Sequence, residues 1–320
     1  MPILLLGLET EKLNDAARAE IAHLAPDYQL LVTPSEEESL AAIDEIEIAA
    51  GRVPMEIVLR GPRLRWYQQW GAGADWLLRH PEMRQREVIV TNASGVHAIP
   101  VSEHILALLL ALARQIPDAV RAQDQRQWRR QEMGEVFELA GKTMVLVGVG
   151  AIGGRLARLA AALEMRVIGV RRDPSRPAEG VARMVGPEAL DEMLPQADFL
   201  VLTAPLTHET QHLIHEARLR RMKPSSILIN IGRGRTIDQK ALIRALQEGW
   251  IGGAGLDVTD PEPLPADSPL WGLPNVLITA HYSGRTPAYD ARALAIFMDN
   301  LARYVTGQPL RNVVDPERGY

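Results

Sequence analysis

The 320-residue chain contains no cysteine, which excludes disulfides, thiolate nucleophiles and cysteine-held metals. Lysine is scarce: there are four lysines among 35 basic residues, so arginine is common and no single arginine is informative by type alone. Positive charge is not in excess. The net charge of −5 and pI of about 5.9 give no electrostatic case for nucleic acid or an acidic membrane surface. Long apolar runs are missing as well. The longest, "ILALLLALA" at 105–113, is too short to span a bilayer. The opening "MPILLLGLETEK" lacks a basic leader and a small-residue cleavage site, so no signal peptide is expected. These absences lead to the expectation of a soluble, cytoplasmic protein. The "RWYQQW" and "DQRQWRR" stretches are then packing or interface segments rather than base-stacking ones.

What is present is a regular alternation of apolar runs with helical patterns. Hydrophobic residues make up 47% and charged residues 23%, which is globular composition on a length that suits two domains. In the first hundred residues, strands are expected at 3–8, 28–32, 56–61, 64–70 and 88–92, and helices at 11–24 and 35–49. One long helix is expected from about Val101 to Arg126, too apolar all round to stand alone on a surface. A second series starts at 142–150 and continues with strands at 166–170, 198–204, 226–232, 253–258 and 275–281. Near-continuous apolar strands require cover on both faces of a parallel sheet. The last helix is expected at 288–307.

Gly148, Gly150 and Gly153 in "VLVGVGAIGG" fit G-x-G-x-x-G between a strand and a helix, the context in which that pattern marks a dinucleotide site. The first glycine permits the tight turn, the second lets a pyrophosphate approach, and the third lets helix and strand pack closely. The helix start then offers free N–H groups to the phosphates. About twenty residues on, where an acid normally grips a ribose, "VIGVRRDPSR" ends its strand in Arg171 and Arg172. Arginine there suits a 2′-phosphate. Each charge-assisted bond is worth about 1.5–3 kcal/mol, enough for a more than tenfold preference. NADP(H) is therefore expected over NAD(H). The alternative is a longer strand register, in which Asp173 binds the ribose and NAD(H) is used; Pro174, which puts Asp173 in a turn, weighs against it.

Three further stretches fall at or beyond strand ends, the edge where open α/β sheets bind ligands: "INIGRGRTID", "LDVTDPEP" and "ITAHYSG". Arg233 offers a planar fork for a carboxylate. His281 can move a proton near neutral pH, and Glu262 could hold it as the imidazolium. Together they suit reduction of a 2-oxo acid, although each residue alone also has a plain structural reading. His208, His212 and His215 are spaced to share one helix face. They are taken as a solvated cluster, and no metal is expected.

These stretches resemble the D-isomer-specific 2-hydroxyacid dehydrogenase family. The resemblance rests on Asn230, Arg233 and Gly234; on Asp257, Val258, Glu262 and Pro263; and on His281 before Gly284, where Ala280 replaces the family's proline. It implies catalytic roles for Arg233, Glu262 and His281. It also implies cofactor contacts from Gly148, Gly150, Ala151, Ile152, Gly153, Arg171, Arg172, Thr203, Pro205, Thr210, Ile231, Asp257 and Gly284. "QQWGAGADWL" and "VTNASGVHAIPVSEHILALLLALAR" are similar to the family's substrate loop and its hinge into a dimer-forming helix. Ala72 and Gly73 are thereby implied to meet the substrate together with Arg233 and His281.

The implied fold is two α/β lobes. A Rossmann-type, doubly wound nucleotide domain spans 99–285, and a smaller flavodoxin-like substrate domain combines 1–98 with 286–320. The implied activity is NADP(H)-preferring reduction of a small 2-oxo acid of the glyoxylate/hydroxypyruvate type to a D-2-hydroxy acid, in a homodimer. Side-chain selectivity is expected from the first-lobe loops, with Trp128 of the partner subunit as a further candidate. The rival readings are an NAD(H)-dependent dehydrogenase of the same fold and a cofactor-sensing binding protein similar to the family's corepressors.

Overall fold

A computed structural model describes residues 1–132, 134 and 136–317, and of Asp75 and Leu78 only the backbone. The chain divides into two compact units, Met1–Val96 joined by the segment from Thr286 onward, and His97–Arg285.

The first unit runs β1 (Ile3–Gly7), α1 (Asp15–Leu24), β2 (Gln29–Val32), α2 (Glu36–Ala41), β3 (Ile46–Gly51), α3 (Met55–Arg60), β4 (Trp66–Gln69) and β5 (Ile89–Thr91). The pairings among these five strands are parallel, in the order β2-β1-β3-β4-β5, which is the flavodoxin-like order. Local chemistry explains the helix starts. Asn14 accepts a bond from the Ala17 N–H at 2.8 Å, and Ser35 one from the Glu38 N–H at 3.2 Å, each satisfying an otherwise orphaned first-turn donor.

Two expectations fail in this unit. The helical spacing read across 35–49 stops at Ala41, and Ile46–Gly51 is a strand paired with β1, as in Leu4↔Ile48. Tertiary pairing overrides the local pattern, because Ile46, Ile48, Ala49 and Ala50 are all fully buried in the sheet. Conversely, 56–61 is not a strand but α3. The overlooked signals were Pro54, which occupies the N-cap, and the i,i+4 pair Glu56–Arg60, with N to O at 3.4 Å; both favour helix.

The second unit opens with α4 (Ala98–Ala113) and α5 (Ile116–Asp124). The single helix expected over 101–126 is thus two, bent by 68°. Gln115 takes a left-handed φ of 53° between them, and Pro117 supplies a first-turn residue without an N–H. Val101, Ile105, Leu108, Leu109 and Leu112 bury α4 in the core beside the next helix. Then follow β6 (Thr143–Val147), α6 (Ala151–Ala162), β7 (Arg166–Val170), β8 (Arg183–Val185), α7 (Leu190–Met193), β9 (Phe199–Leu202), α8 (Glu216–Leu219), β10 (Ile227–Asn230), α9 (Gln239–Gln247), β11 (Gly253–Leu256) and β12 (Val276–Ile278). The sheet is wholly parallel, ordered β12-β11-β10-β9-β6-β7-β8. This is doubly wound Rossmann topology with a seventh strand, and the strand order reverses between β6 and β9. Among the described residues no single helix is long and apolar enough to cross a membrane.

The last helix, α10 (Tyr289–Val305), returns to the first unit. It buries Ala293, Phe297 and Leu301 in the same core as Trp66 and Trp70, and Phe297 stacks on Trp66 at 5.5 Å. A buried polar chain completes the attachment. Trp66 Nε1–H donates to Thr91 Oγ1 at 2.7 Å, Thr91 donates to Gln68 Oε1 at 2.8 Å, and Asn300 Nδ2 donates to Gln68 Oε1 at 3.0 Å. Asn300 also accepts from the Arg311 N–H at 2.8 Å. Buried groups of this kind are costly when left unmade. Asn300→Ala should therefore destabilise the protein by about 1–3 kcal/mol, read as a fall in the urea midpoint of the full-length chain.

Candidate active site

The glycine loop follows from close backbone approaches. Gly148 has φ +99°, and a Cβ there would lie 2.6 Å from the Ala204 nitrogen. A Cβ on Gly153 would lie 2.2 Å from the Gly148 carbonyl oxygen. Gly150 differs, since a Cβ there meets nothing within 4 Å. The first and third glycines are thus required by the fold itself, whereas the second leaves open space at the N-terminus of α6. That is the arrangement a pyrophosphate needs, a helix N-terminus with no side chain in the way. Ala151 is exposed and Ile152 half-buried on the first turn of α6. The Thr203 hydroxyl donates to the carbonyls of Val147, at 3.2 Å, and Gly148, so it braces the turn. The loop after β9 is braced in turn by Thr210, whose hydroxyl donates to the Pro205 carbonyl and accepts from the Thr207 N–H, each at 2.7 Å.

Beyond β7, Arg171 is half-buried and its N–H bonds the Val185 carbonyl at 3.0 Å. Arg172 is exposed and pairs with Glu209 at 2.7 Å. Asp173 accepts from the Ser175 N–H at 3.1 Å and from its hydroxyl at 2.5 Å. These two bonds, together with Arg171 and Arg176, hold its carboxyl below the usual range. Asp173 is committed to a local turn.

The Arg233 loop is set by buried Asn230 at the end of β10. Its side chain accepts from the Gly232 N–H at 3.1 Å and donates to the Arg233 carbonyl at 3.0 Å. Thr236 adds a 2.7 Å bond to the same carbonyl. A Cβ on Gly234 would fall 1.9 Å from the Thr259 carbonyl oxygen, so only glycine lets this loop lie against the one that carries Glu262. The order asparagine, two residues, arginine, glycine therefore has a steric and hydrogen-bonding basis.

His281 Nδ1 lies 2.8 Å from Glu262 Oε2, and Glu262 Oε1 accepts the Thr259 N–H at 3.1 Å. A carboxylate only accepts, so Nδ1 carries the proton and Nε2 is the atom left for a reactant. His281 sits at φ +51°, uncommon for a residue with a Cβ. Its N–H is shared between the carbonyls of Asp257, at 2.9 Å, and Thr279, at 3.1 Å.

Asp257 itself is 1% exposed, and both its oxygens are used inward. They accept from the Thr279 hydroxyl at 2.6 Å and from the N–H groups of Tyr282 and Ser283, each at 3.1 Å. Ile231 is likewise buried, its N–H bonded to the Leu202 carbonyl at 3.3 Å. Two histidines at this site were not singled out from the sequence. His104 reaches Thr279 Oγ1 at 2.9 Å. His97 lies against Gly284, Nδ1 to carbonyl oxygen 3.3 Å, and a Cβ on Gly284 would strike its ring. Burial depresses the pKa of His97, and the nearby charges of Arg233 and His281 add to that, against the Gly284 carbonyl. Both histidines lie in the stretch that resembles the family's hinge, but neither was given a role there, and each meets its partner across more than 170 residues of chain.

Ala72 and Gly73 lie in the first unit, in the loop after β4. Asn92 donates to the Ala72 carbonyl at 2.9 Å, and Gln69 donates to the Gly73 carbonyl. His208 and His212 fall on turns, and His215 caps the short α8, so the three do not share a helix face as the spacing suggested. Among the described residues no group of three or more histidine and carboxylate side chains is placed to hold a metal.

The family model for the D-isomer specific 2-hydroxyacid dehydrogenase NAD-binding domain matches residues 106–283. The chain is 35% identical over 278 residues to a glyoxylate reductase of Korarchaeum cryptofilum, covering 85% of this chain and 82% of that protein. It is 36% identical over 315 residues to glyoxylate/hydroxypyruvate reductase B of Pectobacterium carotovorum, covering 96% and 97%. Among solved structures it is similar to the NADPH-dependent glyoxylate/hydroxypyruvate reductase of Sinorhizobium meliloti, in complex with NADP and sulfate. That match has a TM-score of 0.83 and 28% identity over 100% of this chain and 99% of the other.

The glycine geometry predicts a separation of effects. Gly150→Ala should weaken cofactor binding at least about tenfold while the melting midpoint moves by no more than about 2–4 °C, the shift that roughly 1 kcal/mol produces at this size. Gly153→Ala should lower both. Cofactor titration beside thermal melting checks the pair.

Proposed function

The chain belongs to the D-isomer specific 2-hydroxyacid dehydrogenase family, and from that premise we propose that it reduces a small 2-oxo acid of the glyoxylate/hydroxypyruvate type to its D-2-hydroxy acid, with NADPH as the preferred donor. It is an NAD(P)-dependent 2-hydroxyacid dehydrogenase. The observation that carries the finer reading is the His281–Glu262 pair at 2.8 Å, on the sheet edge that also presents Arg233 and the glycine loop.

The residues present fit a nicotinamide dinucleotide, because Gly150 leaves open space at the α6 N-terminus and Gly148 and Gly153 shape the turn around it. When bound, a nicotinamide would supply the hydride for the substrate's carbonyl carbon. This chain supplies the complementary charge and the proton. Arg233 pairs its guanidinium with the substrate carboxylate and polarises the carbonyl oxygen, which stabilises the negative charge that develops there. His281 delivers the Nε2 proton to that oxygen, while Glu262 keeps Nδ1 protonated and the ring oriented. The N–H groups around Ala72 and Gly73 are read as further carboxylate contacts. Ala151, Ile152, Thr203, Pro205, Thr210, Ile231 and Gly284 are read as lining the cofactor, chiefly through their backbone. Asp257 is read with them, its carboxylate holding the loop rather than facing the ligand.

The NADPH preference rests on charge accounting around the 2′ position. Arg172 already holds Glu209, but both side chains are exposed, and an exposed pair is worth about 0–1 kcal/mol. A phosphate bond at about 1.5–3 kcal/mol outweighs it. Asp173, which would have to bind the ribose in the NADH reading, is tied to Ser175. We also read the protein as a homodimer through α4 and α5, whose Leu110, Ile116 and Val120 are exposed in the single chain, as is Trp128 at 91%.

Oxidation of NADPH and NADH followed side by side at 340 nm, with glyoxylate and hydroxypyruvate, tests the reading. NADPH should be preferred at least about tenfold in kcat/KM, and Arg172→Ala should erode the preference. A preference for NADH would move the ribose contact to Asp173. His281→Ala should lower kcat by about 10²–10⁴ while sparing cofactor affinity. Loss of affinity together with kcat would make His281 a structural residue.

A further inference from the structure

Three polar side chains stack beneath the turn that carries His281. Thr279 Oγ1 is 2.6 Å from Asp257 Oδ1, and His104 Nε2, from the second turn of α4, is 2.9 Å from the same threonine oxygen and 3.8 Å from Asp257 Oδ1. The proton positions follow from donor counting. A hydroxyl has one proton, and a carboxylate can only accept. Thr279 therefore donates to Asp257, and its oxygen must accept from His104, which places a proton on His104 Nε2. The other bonds to the carboxylate come from the N–H groups of Tyr282 and Ser283, so each side chain in the stack has a bonded partner. The His104 ring also meets the Tyr282 ring edge-on at 5.4 Å. No part of the hydride or proton step described above uses His104 or the Thr279 hydroxyl.

We propose that His104 is a positioning residue for His281: its Nε2–H locks the Thr279–Asp257 bond, and that bond fixes the 279–283 turn and the direction of the catalytic imidazole. The inference rests on the reading of His281 as the proton donor.

Backbone geometry makes the link direct. The His281 N–H is shared between the carbonyls of Asp257 and Thr279, so a shift of Thr279 moves His281 with it. The left-handed φ of His281 costs free energy and persists only where its surroundings over-determine it. His104 provides a firm anchor, since it is 16% exposed on a helix whose neighbouring Ile105 and Leu108 are buried in the core. Proton delivery needs hydrogen-bond reach and direction, and a misplacement of about 1 Å from remote changes can cost about a hundredfold in rate.

The test compares His104→Leu, His104→Gln and Thr279→Val with the wild type, using glyoxylate with NADPH and with NADH. His104→Leu removes the donor. His104→Gln puts an amide N–H near the place of Nε2, and Thr279→Val removes the hydroxyl at nearly constant shape. His104→Leu and Thr279→Val should lower kcat by about tenfold to a hundredfold. Cofactor Kd, read by tryptophan fluorescence, should change by less than about twofold, and His104→Gln should recover kcat to within about threefold of wild type. A residue that only fills space would not show this split or this rescue. Thermal melting identifies any variant that fails to fold, and Thr279→Val carries the test if His104→Leu does. The inference is overturned if either folded variant keeps kcat within about twofold, or if folded His104→Gln is no better than His104→Leu. His281→Ala is run beside them. Turnover kept there overturns the His281 reading and this inference with it; turnover lost there but kept in His104→Leu overturns this inference alone.

Discussion

The buried carboxylate of Asp257 is the constraint on which the rest of the site depends. A charge at 1% exposure is tolerable only if it is fully hydrogen-bonded, and Asp257 meets that demand by gathering the chain beyond β12 around itself. Thr279, Tyr282 and Ser283 all donate to it, and the His281 N–H donates to its backbone carbonyl. The cost of burying one ion is thereby converted into a single conformation for the turn that presents the imidazole. Glu262 is then fixed from the other side by the Thr259 N–H, so the His281–Glu262 pair is held by bonds made behind it.

Close packing of backbone does the same for the glycine loop and the Arg233 loop. The strand ends of a parallel sheet crowd together, and each crossing loop must pass its neighbour without a Cβ. Gly148 passes Ala204, Gly153 passes Gly148, Gly232 passes Ala204, and Gly234 passes Thr259. Of the motif glycines, Gly150 alone faces open space. Glycines that the fold needs therefore flank one that steric crowding does not demand, which is why Gly150 is read as the approach for a cofactor pyrophosphate.

Much of this was legible in the sequence because strand-end motifs are local. β7 falls on Arg166–Val170, as its apolar run indicated, and the glycine loop and the Arg233 loop sit on the strands assigned to them. Part of what was misread depended on partners far along the chain, whereas 56–61 carried its own local cues in Pro54 and the Glu56–Arg60 pair. Residues 46–49 carry a helical spacing from their acidic neighbours, and Ile46–Gly51 becomes a strand only by pairing with β1. The break at Gln115 is a backbone choice stabilised by packing, with Pro117 as its only local cue. Asp257 was placed at the site by its motif, but a motif does not say which way a carboxylate faces; three donors from 279–283 settle that it faces inward. His104 gave no signal because its meaning lies in Thr279, 175 residues away.

The site divides its polar groups by exposure. Those that fix loops, namely Asp257, Asn230 and Thr236, are 0–2% exposed, whereas the His281 and Glu262 side chains are 51% and 39% exposed. Bonds made in the interior are stronger and more directional than those made in water, which suits groups whose task is to hold geometry. The His281–Glu262 pair, by contrast, stands in water, where its attraction is screened. A bound nicotinamide and oxo acid would exclude that water, and the same 2.8 Å pair would then act in a lower dielectric, where an imidazolium beside a carboxylate and a developing alkoxide interact more strongly. On the proposed reading, ligand binding would strengthen the electrostatics of a pair whose direction the buried groups behind it already set.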